Sequence, residues 1–410
     1  MVRVLPAPGP VRQLALVTLV NTTGNGIFYT LSALYFTRIL GFSVVSVGAG
    51  LSIAAFAGLL AGVPIGHLAD RRGAREVLAV MLLATCVADG LLLAVQAYWQ
   101  FVLIASVTVF VESGANAARN ALIAGVVQGS QRAATKAYLR SITNVGMTLG
   151  TAIAAIALHF DSRTAYVSVL YVDVAGYLVC AILATRLPRV TPTSRSETPG
   201  MFAATRDLPF VVVTLITAVL NMHYWIIEIA MPLWVVDHTQ APRWLVSVLV
   251  VVNTGTVVVG QVLVARRVTT LHAAITASAV SGVLFVGACG LFGLSGSVGV
   301  AAAAALLVAA ALLDVFGELS QAAASFLLGF ELAPDHATGQ YQGLYGMGFA
   351  LSALLAPTVM AVLPLRMGLP GWWILGGILL AAALAIGPAV RWAERTRGRY
   401  GVVVLTDSEG

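Results

Sequence analysis

The chain has 410 residues, of which 59% are hydrophobic and only 10% charged, and its mean hydropathy is +0.93. A soluble chain is about 25% charged, so this composition excludes a set of soluble domains and indicates a polytopic membrane protein. The formal net charge of +6 is interpreted as a topology signal and an attraction to anionic lipid, and no nucleic-acid partner is expected.

A membrane-spanning helix needs about 20 apolar residues. Twelve windows meet this length, near 12–38, 44–69, 76–97, 100–125, 138–160, 164–186, 208–236, 244–265, 270–293, 298–326, 340–364 and 371–391. A polar connection at 187–207, rich in Pro, Ser, Thr and charge, separates the first six from the last six. We therefore predict an all-α protein with twelve transmembrane helices in two pseudo-symmetric six-helix bundles, at 1–186 and, with a cytoplasmic tail, at 208–410.

The basic residues predict the orientation of these helices. If both termini are cytoplasmic, 19 of the 23 basic residues lie inside and only four lie outside, namely Arg38, Arg163, Arg243 and Arg366. Cytoplasmic loops of membrane proteins carry an excess of Lys and Arg. The sequence thus predicts a multi-pass protein of the cell membrane with its termini and the 187–207 linker in the cytoplasm.

The two halves show weak signs of a duplication. Asn21 in span 1 and Asn221 in span 7 lie 200 positions apart at similar depth, and Glu112 in span 4 and Asp314 in span 10 lie 202 apart. Such spacing is expected of a repeated six-span unit whose ligand site lies between the halves near the membrane midplane.

The connection between spans 2 and 3 reads GHLADRRGAR from residue 66 to residue 75. It has a glycine that permits close helix approach, an acid that can accept from a cation or a helix N-terminus, and a second glycine that permits a sharp reversal. This spacing resembles the loop signature of the major facilitator superfamily. The resemblance assigns a gating motif to Gly66, Asp70, Arg71, Gly73 and Arg75.

A second stretch, LAPDHATGQYQG at 332–343 followed by LAP at 355–357, resembles the corresponding segment of the drug-exporter-like members of that superfamily. Thr338 and Gln340 stand where two basic residues are usual, so this loop lacks positive charge. Span 4 also lacks an early arginine and span 5 a Gly-Pro element that are usual in proton-coupled exporters. These departures leave the exporter subclass less supported than the superfamily.

The superfamily fold implies that spans 1, 4, 7 and 10 line a central cavity, that spans 2, 5, 8 and 11 gate it, and that the others support it. Polar and aromatic side chains at mid-depth of the cavity spans are the candidate substrate contacts: Asn21, Asn25, Tyr29, Asn116, Asn221 and Trp225. For the polar residues of span 1, the alternative to substrate contact is that they form hydrogen bonds between packed helices. In span 7, Asn221, Trp225, Glu228 and Pro232 share one face of an ideal helix, whereas His223 should point elsewhere and act as a packing residue.

Buried carboxyl groups are costly in a membrane and need a partner, a proton or a function. The candidate proton carriers are Glu112, Glu228, Asp314 and Glu318. Asp314 and Glu318 lie one helical turn apart, so at least one of them should hold a proton near neutral pH. Asp89 in span 3 and Asp173 in span 6 lie outside the implied cavity, and a structural hydrogen-bonding role is favoured for them over proton transfer.

These features predict a monomeric secondary transporter that exports a small, largely apolar organic compound, such as a drug or antibiotic, in exchange for protons by alternating access. No metal-ligand spacing, phosphate-binding loop or catalytic triad is visible in the sequence, so neither an enzyme nor a cofactor is expected. Its partners would be the small-molecule substrate and the lipid bilayer. The alternatives are a proton-coupled symporter or facilitator for uptake of a nutrient and, third, a non-transporting membrane sensor or enzyme.

Overall fold

The computed structural model describes residues 9–127, 129–160, 162–191 and 200–399. Within these ranges the regular structure is entirely helical and no strand is present. The predicted all-α class is therefore confirmed. Two arginines of the basic pattern, Arg3 and Arg195, and the tail beyond residue 399 lie outside the described residues.

Helices occupy the first six predicted spans. They are α1 (Pro10–Leu34, continued by the π-helical stretch Tyr35–Ile39), α2 (Val44–Arg72), α3 (Ala74–Leu92), α4 (Tyr98–Val126), α5 (Gly129–Phe160) and α6 (Arg163–Thr185). The main difference concerns α5, which begins nine positions before the predicted apolar window. Its first turns are polar and include Arg132 and Lys136, which apolarity alone assigns to a loop.

Helices also occupy the last six predicted spans. They are α7 (Leu208–Leu220, continued through irregular turns to Met231–His238), α8 (Leu245–Ala265), α9 (Leu271–Ser295), α10 (Val300–Glu331), α11 (Thr338–Met360, continued by the π-helical stretch Ala361–Arg366) and α12 (Leu369–Thr396). Between residues 200 and 207, part of the predicted linker forms only the short helix Ala203–Arg206.

Side-chain caps and glycines fix several helix ends. The hydroxyl groups of Ser43, Ser162 and Thr270 accept hydrogen bonds from amides in the first turns of α2, α6 and α9, and this satisfies donors that a helix start leaves open. Asp207 does the same for α7. Gly73, with φ +98°, joins α2 to α3 without an intervening loop, a conformation that favours glycine.

Among the described residues, 10 helices are long and apolar enough to cross a membrane. The two predicted spans not among them are α1, whose middle carries the polar run from Asn21 to Asn25, and α3, which carries three charged residues. Many large apolar side chains on the helices are exposed, including Val45, Ile53, Val251 and Val259. A surface of this kind requires a lipid solvent, so the protein is a multi-pass membrane protein.

The chain packs into two compact units. Unit 1 consists of Met1–Gln131, Tyr138–Ala204 and Asp335–Met347, and unit 2 consists of Arg132–Ala137, Thr205–Pro334 and Gly348–Gly410. The start of α5 thus groups with unit 2, and the first half of α11 groups with unit 1. The domain limits predicted from sequence, at 1–186, 187–207 and 208–410, remain a prediction.

Each unit has its own apolar core. In unit 1, side chains of α1, α2, α4, α5 and α6 meet around Phe36 and Phe101, whose ring centroids lie 4.5 Å apart. In unit 2 the rings of Phe292 on α9 and Trp372 on α12 stack at 5.1 Å. Close packing of these cores fixes the positions of the polar side chains that lie against them.

Candidate functional site

A hydrogen-bonded network inside unit 1 joins α1, α4 and α6. Arg119 donates through Nη2 to Oδ1 of Asn21 at 2.8 Å, and Nδ2 of Asn21 lies 3.4 Å from Oδ1 of Asn25. The hydroxyl group of Tyr177 lies 2.8 Å from the same Asn25 oxygen and also hydrogen-bonds with Glu112. The structure therefore brings together two predicted cavity residues and one predicted proton carrier.

The chemistry of Arg119 sets the direction of these bonds. A guanidinium group can only donate, so Asn21 presents its oxygen to Arg119 and its NH2 group to Asn25. Asn25 then presents its oxygen to Tyr177. A tyrosine hydroxyl has a single proton, and when that proton is donated to Asn25, the tyrosine oxygen faces Glu112 as an acceptor. Glu112 can then form a hydrogen bond to this oxygen only as a donor, which requires a proton on its carboxyl group.

The network reaches the surface of unit 1 along α4. Glu112 and Arg119 are half-buried, whereas Asn116, one turn beyond Glu112, is exposed. Arg119 also lies 3.3 Å from Oδ1 of Asn116. Within the part of the chain that the structure describes, no ion pair joins Glu112 to Arg119, although the two charges lie within electrostatic range of each other. Tyr29, the third predicted cavity residue of α1, is 59% exposed.

Asp89 and Asp173 lie deeper in unit 1 than Glu112. Their exposed fractions are 5% and 2%, and one carboxyl oxygen of each has no hydrogen-bond partner. The structural hydrogen-bonding role expected from sequence is therefore not seen for these two oxygen atoms. Asp173 lies against α1 at Gly24, where its Oδ1 occupies the space that a side chain would need.

In unit 2 the backbone of α7 is irregular where its predicted site residues lie. Asn221 begins the 3-10 turn Asn221–His223, and Glu228 lies in the π-helical stretch Ile226–Ala230. Between these two irregular turns, Trp225 donates from its indole nitrogen to Ser352 of α11 at 3.2 Å. Short 3-10 and π segments within a helix often mark functional positions.

The side chains of α7 differ in exposure. Asn221 is buried and Glu228 is exposed. The ring of His223 stacks on Phe285 of α9 with centroids 4.7 Å apart and an interplanar angle of 19°. This packing contact agrees with the sequence interpretation that His223 points away from a ligand face. The irregular turns change the spacing of side chains around α7, so the common face inferred from ideal helical geometry does not hold in detail.

The two acids of α10 are buried within unit 2. Asp314 is 1% exposed, and neither of its carboxyl oxygens has a hydrogen-bond partner. Glu318 accepts a hydrogen bond from Nδ2 of Asn253 on α8 at 3.2 Å. An ionised carboxylate without a partner is very costly in such surroundings, so the geometry of Asp314 suits a protonated carboxyl group.

The predicted gating motif lies against the start of α11 inside unit 1. Asp70 accepts hydrogen bonds from the backbone amides of Gly339 at 2.7 Å and Gln340 at 3.0 Å. The side-chain amide of Gln340 lies 2.8 Å from Nδ1 of His67. A carboxylate in this position complements the positive end of the helix dipole, as the sequence pattern suggested for Asp70.

Four glycines allow α2 and α11 to approach each other closely. A Cβ atom added at Gly66 would overlap the carbonyl group of Gly339, and one added at Gly62 would overlap that of Gly343. The glycines of each helix are four residues apart, and this small-xxx-small spacing is typical of close membrane-helix packing. Gly66 therefore lies in a close helix approach, together with three further glycines that sequence reasoning did not assign to it.

The other motif residues have different roles. Arg71 is exposed. Arg75 pairs with Glu76 at 2.6 Å and donates to the carbonyl oxygens of Thr185 and Leu187 at 3.2 and 3.3 Å. Arg75 thus fastens the start of α3 to the end of α6 within unit 1, which is a structural role that the spacing alone did not specify.

Lys136, at the start of α5, contacts two aromatic rings of unit 2. Its ammonium group lies over the rings of Phe326 and Phe330 of α10, 5.5 and 5.4 Å from their centroids. Both distances are within the range of a cation–π interaction. The sequence signal that could have identified this contact is the isolation of Lys136, because every other basic residue of the chain is an arginine.

A family model described as Major Facilitator Superfamily matches residues 14–357. The chain belongs to the major facilitator superfamily. Its members are transporters, so the protein is a transporter and not an enzyme. The predicted gating motif at 66–75 and the contact of Asp70 with α11 lie within the matched region.

Solved structures of several other transporters have a similar fold. The human organic anion transporter MFSD10 (TETRAN) is 14% identical, with a TM-score of 0.73 over 92% of this chain and 98% of that one. A bacterial homologue of the iron transporter ferroportin, in its outward-facing state with soaked iron, is 14% identical, with a TM-score of 0.72 over 94% and 99%. A variant of the E. coli fucose:proton symporter, FucP, is 11% identical, with a TM-score of 0.67 over 94% and 98%.

At these identities the similarity establishes the superfamily fold alone. A comparison with curated proteins found no match. The substrate and the coupling ion of this superfamily member must therefore be argued from its own residues.

Proposed function

We propose that this transporter exports a small, largely apolar organic compound in exchange for protons. The observation that carries the proposal is the directed network from Arg119 to Glu112. With a proton on Glu112, each of the network's four side-chain contacts from Arg119 to Glu112 has one donor and one acceptor, and loss of that proton requires the Tyr177 hydroxyl to turn from Asn25 to Glu112. Protonation of Glu112 would thereby be linked to the contacts of α1 and α4.

Buried acids in unit 2 support the same proposal. Asp314 and Glu318 lie one turn apart inside a membrane-spanning helix, where two like charges disfavour each other. Glu228 is exposed in the irregular part of α7. Each of these carboxyl groups can bind and release a proton as its access to water changes, and this is what coupling to a proton gradient requires.

Exposed and half-buried side chains indicate the chemistry of the substrate. Tyr29 and Asn116 are exposed in unit 1, and Trp225 is half-buried in unit 2. Aromatic rings bind apolar compounds and attract a positive charge when the ligand has one. With Asn21 and Asn25 as hydrogen-bonding groups in unit 1 and Asn221 in unit 2, the candidate residues of each unit suit an amphipathic organic compound better than a highly charged one.

Alternating access needs contacts that form in one state and break in another. Asp70 held by two amides of α11, with Gly62 and Gly66 packed on that helix, is proposed as such a contact. We further propose that the protein lies in the cell membrane as a monomer, with both termini cytoplasmic. It would use protons as the coupling ion, without a bound cofactor.

The test begins with a resistance screen in a host that lacks its own efflux pumps, followed by flux of the protective compound in proteoliposomes. We expect accumulation driven by a pH gradient in the direction of export, and its loss when Glu112, Glu228, Asp314 and Glu318 are all replaced by the corresponding amides. Exchange of Glu394, an exposed acid of α12, for Gln is the matched control. Accumulation in the opposite direction would identify an uptake symporter, and flux independent of pH would refute proton coupling.

A further inference from the structure

Unit 1 contains two buried acids that the mechanism proposed above does not use. Asp89 is on α3, which packs against α4, and Asp173 is on α6, which packs against α1 and contributes Tyr177 to the network. Each is more than nine-tenths buried, and each has a carboxyl oxygen without a hydrogen-bond partner. Buried polar groups are nearly always paired in folded proteins, so these two oxygens require an explanation.

The two acids face the same interior region as Glu112. Asp173 is four residues before Tyr177 on α6, and Tyr177 bonds with Glu112. Asp89 lies beside Thr108, which is four residues before Glu112 on α4. Side chains four apart share one face of a helix, so both acids approach the Glu112 region from a neighbouring turn.

Further contacts fix the positions of the two acids. The thiol of Cys86, one turn before Asp89 on α3, donates to the carbonyl oxygen of Val174 on α6 at 3.3 Å, next to Asp173. On the other side, a Cβ atom added at Gly24 of α1 would lie 3.1 Å from Cγ of Asp173 and overlap its Oδ1. The absence of a side chain at residue 24 thus leaves a space that the Asp173 carboxyl group fills.

Cations do not neutralise this cluster within the described residues. The titratable groups that surround Asp89 and Asp173 are Cys86, Glu112, Tyr177 and Cys180, with Arg119 beyond Glu112. Arg119 donates to Asn21 and Asn116, and none of the other four groups is a cation. The described His, Cys, Asp and Glu side chains also form no group arranged to hold a metal ion.

We propose that Asp89 and Asp173 form a second proton-binding site, which titrates together with Glu112. A bound proton removes the charge that burial disfavours and gives a carboxyl group a donor for its neighbour. Because these acids interact in a medium of low dielectric, a negative charge on Glu112 increases the affinity of the two aspartates for protons. The existence of the site does not depend on the proposed function, but its role in transport rests on it.

The experiment measures protonated carboxyl groups directly. The purified full-length protein in lipid nanodiscs is exposed to a pH change, and infrared difference spectra record the C=O stretching band of protonated carboxyl groups. We expect Asp89→Asn and Asp173→Asn each to remove part of this band and the double variant to remove both parts. Asp237→Asn, which changes an exposed acid at the end of α7, should leave the Asp89 and Asp173 parts of the band unchanged.

Two further variants keep the test decisive if an asparagine variant does not fold. Gly24→Ala retains both acids but displaces the Asp173 carboxyl group, and it should shift the Asp173 part of the band. Tyr177→Phe removes the hydrogen-bond partner of Glu112 but retains all three acids, and it should shift the Glu112 part of the band and, because the acids titrate together, the two aspartate parts as well. A band that is unchanged in the folded Asp89, Asp173 and Gly24 variants would overturn the proposal.

A transport measurement separates this site from the proposed function. If both are correct, the double variant should move fewer protons per substrate molecule than the wild type, as determined from the gradient at which flux reverses. If the wild type shows no proton-coupled flux, yet the aspartate bands are present and lost in the variants, the site stands and the proposed function fails. If coupled flux is present and the bands are absent, only the second site is refuted.

Discussion

Gly62 of α2 and Gly343 of α11 pack backbone against backbone, so that a Cβ atom added at either residue would overlap the carbonyl group of the other. The neighbouring glycine pair repeats this contact one turn away, and Asp70 follows one turn later with its bonds to the α11 amides. Close approach of the helices therefore places the carboxylate within reach of the start of α11. The glycine contact and the Asp70 carboxylate together hold α2 against α11.

Replacement of Gly343 by Ala should weaken this helix contact. The added methyl group meets backbone atoms that cannot turn aside, and overpacking of this kind costs about 1–3 kcal/mol. We expect a lower midpoint of thermal unfolding and slower substrate flux in proteoliposomes. Gly346→Ala is the control on the same helix, because an added Cβ at Gly346 meets no atom within 4 Å. Equal effects of the two variants would show that the glycine contact has no special role.

Replacement of Asp70 by Asn should loosen the contact with α11 without removing bulk. An amide keeps one acceptor oxygen but loses the charge that complements the helix dipole, at a cost of about 1 kcal/mol, or a factor of about five in a conformational equilibrium. The measurement is the labelling rate of a cysteine introduced at the buried residue Gln342 by a membrane-impermeant maleimide. We expect a several-fold rise for Asp70→Asn and none for Arg72→Gln, and an unchanged rate in the Asp70 variant would exclude a gating role.

Replacement of Glu112 by Gln should mimic the protonated carboxyl group. The Gln amide can donate to Tyr177 as a carboxylic acid does, so unfolding stability should change by less than about 0.5 kcal/mol. Glu112→Ala removes this partner and should cost about 1–3 kcal/mol. Thermal unfolding checks both values. Flux driven by a pH gradient should be lost in both variants while substrate exchange persists in the Gln variant, and gradient-driven flux retained by the Gln variant would rule out Glu112 as a proton carrier.

The sequence was sufficient to predict the helices and the superfamily, because apolar length and loop spacing can both be determined locally. Apolar length places twelve helices close to their observed bounds. The loop spacing identifies Gly66, Asp70 and Gly73 without knowledge of the residues that they contact. The turn at Gly73 is an example, since its φ of +98° follows from the requirement for a sharp reversal.

The partners of site residues could not be predicted, because they depend on packing between distant parts of the chain. The bond between Tyr177 and Glu112 joins α6 to α4. The sequence of α6 does not distinguish Tyr177 from Tyr166 and Tyr171, the other tyrosines of that helix. The 3-10 and π-helical turns of α7, next to which His223 and Tyr224 contact Phe285 and Phe349, change the spacing of its side chains. Ideal helical geometry therefore misplaces the common face of Asn221, Trp225 and Glu228.

The contact of Lys136 with Phe326 and Phe330 leads to a test based on amine chemistry. Lys136 is the single lysine of the chain, so acylation by an amine-reactive ester reports on this residue and the N-terminal amine, which mass spectrometry resolves. Loss of one ring should weaken a cation–π contact worth about 0.5–2 kcal/mol, and the acylation rate should rise by a factor of about 2–30 for Phe326→Leu or Phe330→Leu. Phe316→Leu, at an exposed position of α10, is the control. A rate that rises equally in all three variants would mean that general loosening of α10, and not the two rings, controls access to Lys136.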